Sequence, residues 1–129
     1  MPKGYEFLKE AGTYFIATVD KDQAKVRPFG SLYLNEGKAY IVTANTKDCY
    51  KQMLENPKVE IAAMGKGGWI RVTCKAVPAQ EDAAQAVLNA NERLKERYTG
   101  QAAETFALME LTDVSAAIYK GSEIERVEF

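Results

Sequence analysis

Between Lys38 and Glu55 the chain changes its hydrophobic period, and this change limits the possible folds more than any single residue does. Lys38 to Thr43 alternates and is rich in β-branched and aromatic residues, as a strand requires, whereas Lys47 to Glu55 sets Tyr50, Met53 and Leu54 at helical spacing. A strand must therefore hand over to a helix across Ala44, Asn45 and Thr46. Thr46 is placed to cap that helix. The first-turn N–H groups beyond it lack intrahelical partners, so together with the positive end of the helix dipole they offer an anion site. Thr43, Asn45, Thr46 and Lys47 add hydroxyls, an amide and a cation.

Arg27 is brought to the same place by register. If Ala24 to Leu34 and Lys38 to Thr43 form a hairpin closed by Glu36 and Gly37, Asn35 pairs with Lys38 and Arg27 falls beside Thr46. Pro28 inside that strand predicts an edge or a bulge. Guanidinium, ammonium, hydroxyls and a helix N-terminus then converge as a phosphate pocket. A threonine cap followed by lysine is also an ordinary helix start, and a strand arginine is commonly solvated, so spacing alone leaves both readings open.

The rest of the chain supplies more strands. Gly4 to Ala11 suits a short amphipathic helix ended by Gly12, and Thr13 to Asp20 a first strand that turns at Asp20 to Gln23. Asn56-Pro57 stops the central helix. Lys58 to Met64 and Trp69 to Val77 are strands around a turn at Gly65 to Gly68. Glu81 to Tyr98 reads as the longest helix, ended by Thr99-Gly100. Phe106 to Thr112 and Ser115 to Lys120 read as strands, with a short last one over Ile124 to Phe129. Helices inserted among antiparallel strands predict an α+β, mainly β barrel with peripheral helices, formed by residues 1–129 as one domain.

Composition narrows the chemistry. There is no histidine, which excludes Ser-His-Asp and Cys-His catalysis, H-E-x-x-H zinc sites and histidine-ligated heme. Protein-only hydrolysis is disfavoured, and an enzyme of this composition borrows a cofactor's reactivity. The 17 basic and 18 acidic residues leave a net charge of −1, so neither nucleic acid nor an anionic membrane is expected as a partner. Cys49 and Cys74 show no C-x-x-C spacing, and the N-terminus does not resemble a signal peptide. A cytoplasmic protein with reduced thiols is expected.

The succession T-Y-F-I-A-T-V-D, A-K-V-R-P-F-G, A-Y-I-V-T-A-N-T-K-D-C-Y-K-Q-M-L-E-N-P-K-V-E-I and G-G-W-I-R-V-T-C-K-A resembles the pyridoxamine 5′-phosphate oxidase-like family of flavin-binding split β-barrels, in particular its small members. The resemblance implies an antiparallel split barrel that holds FMN at a homodimer interface. It also implies an oxidoreductase acting on a small substrate or electron donor. Its phosphate residues map onto Arg27, Thr43, Asn45, Thr46 and Lys47. The backbone of Val26, Pro28 and Phe29 would follow the isoalloxazine ring, and Trp69 would contact the ring or anchor the core or interface. No side chain is assigned a catalytic role. The chain lacks the basic and histidine residues with which the true oxidase binds its pyridoxal-type substrate, so vitamin B6 oxidation is not expected. Two alternatives remain open. One is a deazaflavin-dependent reductase, the other a flavin storage or sensing module without turnover.

Overall fold

Each alternating run becomes a strand, and the polar or glycine-bearing links between runs become turns. The computed structural model describes residues 1–129. Helix α1 (Lys3–Ala11) precedes strands β1 (Tyr14–Asp20), β2 (Gln23–Phe29), β3 (Tyr33–Asn35) and β4 (Lys38–Ala44). Helix α2 (Asp48–Glu55) leads to β5 (Lys58–Gly65) and β6 (Gly68–Pro78). Helices α3 (Glu81–Ala90) and α4 (Glu92–Arg97) follow, then a 3-10 turn, β7 (Phe106–Lys120) and β8 (Glu123–Val127).

The eight strands form one antiparallel sheet in the order β2-β1-β5-β6-β7-β4-β3, with β8 also paired to β7. The sheet curls without closing, because β2 and β3 remain edges. This is an antiparallel split β-barrel with peripheral helices. Its interior is filled by the inward set of each alternation, with Ile16, Ile41, Ile61, Ile70, Val72, Met109 and Ile118 essentially inaccessible to water. Burying each such side chain stabilises the fold by about 1.5–3 kcal/mol. A smaller cluster of Tyr40, Val42, Val87, Leu94 and Leu108 seats α3 and α4 on the outside of β4 and β7.

Four local expectations are corrected. The turn at Glu36-Gly37 does pair Asn35 with Lys38, but Ala24 to Leu34 is not one strand: β2 pairs with β1, placing Arg27 opposite Ile16. The chain leaves β1 at Gly30, where Ser31 Oγ accepts from the Val42 N–H at 2.9 Å and donates to the Val42 carbonyl at 3.3 Å, docking the segment on β4. The Tyr14 hydroxyl fixes the same segment by donating to the Ser31 carbonyl at 2.6 Å. Pro28 accordingly lies on an edge strand, where its missing N–H costs no ladder bond.

The span from Glu81 to Tyr98 is two helices. Asn91 leaves helical backbone at φ −129°, ψ 99°, and its side-chain amide donates to the Val87 carbonyl at 2.7 Å. Its own carbonyl accepts from Leu94 and Lys95, which starts α4. Asparagine competes with helical hydrogen bonding in this way. Phe106 to Lys120 is one continuous strand, kinked where Asp113 takes φ 52° opposite a register shift between Thr73 and Lys75. Finally, α2 begins at Asp48 with Lys47 as its cap residue, because a turn bond from the Lys47 N–H to the Ala44 carbonyl carries the chain past Thr46 first.

Candidate functional site

Two adjoining clefts open where β2, the start of α2 and α4 meet. The first, of about 570 Å³, is walled by Pro28, Phe29, Ser31 and Tyr33 on one side and by Leu94 and Tyr98 on the other. Lys47, Arg93 and Arg97 supply its charge, and no carboxylate lines it. The second, of about 400 Å³, contains Lys25, Arg27 and Lys47 beside Asp20 and Asp48, with Gln52 and Cys49 behind them. Pro28, Phe29 and Lys47 belong to both, so the two form one groove of a size usual for cofactor sites.

Lys47 stands at the junction for a local reason. It is the residue before the first turn of α2, and no side chain caps that helix, so the first-turn N–H groups remain available to an anion. Arg27 reaches the site by a route other than the expected hairpin. From β2 its guanidinium crosses β1, with Nη1 donating to Thr18 Oγ1 at 2.8 Å and to the Ile16 carbonyl at 3.2 Å. Nη2 donates to Gln52 Oε1 at 3.0 Å, and the buried Thr18 hydroxyl donates to the same oxygen at 2.6 Å. Arg27, Thr18 and Gln52 thus form a closed triangle at the edge of the second cleft.

The remaining sequence-predicted residues are dispersed. Thr43 borders the first cleft, but it is buried and its hydroxyl meets Cys49 Sγ at 3.4 Å. The Asn45 amide is turned away, donating to the Glu104 carbonyl at 2.8 Å, and Thr46 is exposed. Val26, Asn45, Thr46 and Trp69 border neither cleft. Val26 faces out from the sheet, and Trp69 stacks on Tyr119 at a centroid distance of 4.3 Å, with Arg71 over both rings. Cys74 is a buried thiol pushed up to about 12 by desolvation and then by Glu60. It behaves as a small hydrophobe.

Sequence reasoning missed Ser31, Tyr33, Gln52, Arg93, Arg97 and Tyr98. The signal for the arginines was present: they stand four apart around the apolar Leu94, just after the helix-interrupting N-A-N of Asn89 to Asn91. Leu94 is buried under α4, and Tyr98 meets Phe106 edge-on at 5.0 Å, so α4 is pinned with both arginines at the cleft. Burial raises the Tyr33 hydroxyl above the usual phenol range, and Arg97 opposes that rise from across the cleft.

A family model described as pyridoxamine 5′-phosphate oxidase matches residues 2–117. A NimC/NimA family protein from Clostridium acetobutylicum is 41% identical, with a TM-score of 0.83 over 95% of this chain and 89% of its own. General Stress Protein 26 from Bacillus anthracis shares the fold at 17% identity and a TM-score of 0.71, covering 96% of this chain and 95% of that one. HutZ, the heme storage protein from Vibrio cholerae, does so at 16% identity and 0.66, covering 96% and 92%. No curated protein matches the chain.

Proposed function

The chain belongs to the pyridoxamine 5′-phosphate oxidase family, and on that premise we propose that it is an FMN-binding oxidoreductase working as a homodimer on a small substrate or electron donor. One observation carries this reading. Lys47, at the uncapped start of α2, lies in both clefts beside Arg27 and the Pro28-Phe29 segment, so an anion end and an apolar wall belong to one groove. The residues fit the cofactor: Lys47 and Arg27 neutralise a phosphate, first-turn N–H groups of α2 hydrogen-bond it, and Pro28 and Phe29 lie along the adjoining wall. When bound, FMN supplies the electron or hydride transfer, and the chain's own residues bind and orient it.

Heme, carried by a relative of the same fold, is the poorer fit. The chain has no histidine, and the one sulfur bordering the groove, Cys49, is 5% exposed and turned to Thr43. The homodimer is supported by the outward face of the sheet, where Phe15, Val26, Met64 and Ile124 are more than half exposed beside the Trp69-Tyr119 stack. Such a face is suited to covering by a second copy. A reducing cytoplasmic setting accords with two free cysteines.

Titrating FMN into the flavin-free protein, followed by visible absorption, tests the cofactor. Replacing Arg27 and Lys47 together by alanine should weaken FMN binding at least about 100-fold while the far-ultraviolet dichroism is retained. Unchanged affinity overturns the assignment. Oxidation of a reduced nicotinamide by the loaded protein separates an oxidoreductase from a storage module.

A further inference from the structure

Arg27 is held in one pose by its neighbours, and the hydrogen bonds that hold it use only part of the guanidinium. That group carries five N–H donors in a fixed plane. Nη1 directs its two to Thr18 Oγ1 at 2.8 Å and the Ile16 carbonyl at 3.2 Å, with the Lys25 carbonyl farther off at 3.5 Å. Nη2 directs one to Gln52 Oε1 at 3.0 Å. The Thr18 hydroxyl donates to that same oxygen at 2.6 Å, so the two acceptors sit side by side across the end of the fork, between Nη1 and Nη2. The second Nη2–H and the Nε–H have no partner within the chain. These two donors share the side edge of the guanidinium and point the same way, at the spacing of two phosphate oxygens. Gln52 stands four residues after Asp48 on α2, so the helix whose free N–H groups open to the second cleft also fixes the arginine that lines it.

The geometry points to Thr18 and Gln52 as positioning residues for phosphate recognition: they occupy the end of the Arg27 fork and so present its Nε–Nη2 edge to the flavin phosphate. This role rests on the flavin reading above and adds to it two residues that touch no phosphate themselves. Arg27 stands on an edge strand, and without the two acceptors its long side chain would sample many rotamers and meet the phosphate as a solvated point charge. With them, the ordering is completed on folding and need not be repeated on binding.

The test compares FMN with riboflavin, which has the same ring and no phosphate, each titrated into the flavin-free protein and followed by flavin fluorescence. Gln52→Met and Thr18→Val should each weaken FMN binding about 5- to 10-fold while riboflavin affinity changes less than about twofold, and Thr18→Ser, which restores the hydroxyl, should recover FMN binding. Unchanged FMN affinity in both variants overturns the role, as does a parallel fall for the two flavins, which damage to the fold alone would produce. In an Arg27→Ala background neither substitution should weaken FMN further; an undiminished effect there means that Thr18 and Gln52 act without the arginine, and also overturns it. If the parent protein binds neither flavin, the flavin reading falls, and NMR of the nitrogen-labelled Arg27 side chain during titration with inorganic phosphate decides the rest. A phosphate-dependent shift of the Nε–H signal that is lost in Gln52→Met upholds the oriented fork. A parent signal indifferent to phosphate, or a Gln52→Met signal that shifts as the parent's does, overturns it.

Discussion

Replacing Gln52 by methionine removes the one oxygen that both Thr18 and Arg27 use as an acceptor, at nearly constant side-chain volume. Thr18 is 2% exposed, so its hydroxyl has no water to turn to, and a buried donor left unmet costs about 1–3 kcal/mol. Arg27 is only half-buried and regains water at Nη2, which adds a few tenths at most. The expected loss is about 2 kcal/mol. With an unfolding entropy of about 2.1 cal/mol/K per residue, a chain of this length loses about 4 °C per kcal/mol, so Tm should fall by about 7 °C in a thermal melt followed by circular dichroism. Gln52→Glu separates stability from binding. Its carboxylate keeps both donors satisfied and should hold Tm near the parent value. In the second cleft it adds a third negative charge to Asp20 and Asp48, so FMN affinity should drop about 3- to 10-fold. A Gln52→Met protein that melts within about 1 °C of the parent refutes the reasoning, because the triangle would then carry no stability.

Two further outcomes are expected. The Cys74 thiol, whose ordinary value is 9.0, is pushed up to about 12 by burial, so its contribution is fully present below pH 9 and is lost as pH rises toward 12. Urea unfolding at pH 10.5 should show a stability lower than at pH 8 by about 2 kcal/mol from this group, with Tyr14 adding to the fall and Cys74→Ala flattening it; equal stabilities at the two pH values would contradict the burial argument. On the outward sheet face, Phe15→Glu with Met64→Glu should turn a dimer into a folded monomer by light scattering, and a dimer unaffected by both charges would place the interface elsewhere.

Sequence periodicity alone determined the local elements and several of their joints. Alternation marked β1, β4, β5 and β6, the helical spacing of Met53 with Tyr50 marked α2, and Glu36-Gly37 fixed the Asn35–Lys38 pairing, since these features depend on neighbours within one turn or one strand. The lack of histidine likewise removed whole classes of chemistry without any structure. The resemblance named Arg27 and Lys47 together as phosphate residues, and the two line one cleft although the hairpin register expected to join them does not form.

Only the tertiary structure decided where these pieces meet. A strand's pattern records which face is buried and not which strand lies beside it, so β2 could be assigned to β1 only through the docking of Ser31 on Val42 and of Tyr14 on Ser31. The direction of the Arg27 guanidinium followed from Thr18 and Gln52, which are 9 and 25 residues away along the chain. The Asn91 interruption shows the same division. Helix propensity tolerated one long helix, but the Asn91 side chain interrupts it by bonding the Val87 carbonyl, and burial of Val87 from one short helix and Leu94 from the other leaves Arg93 and Arg97 lining the cleft.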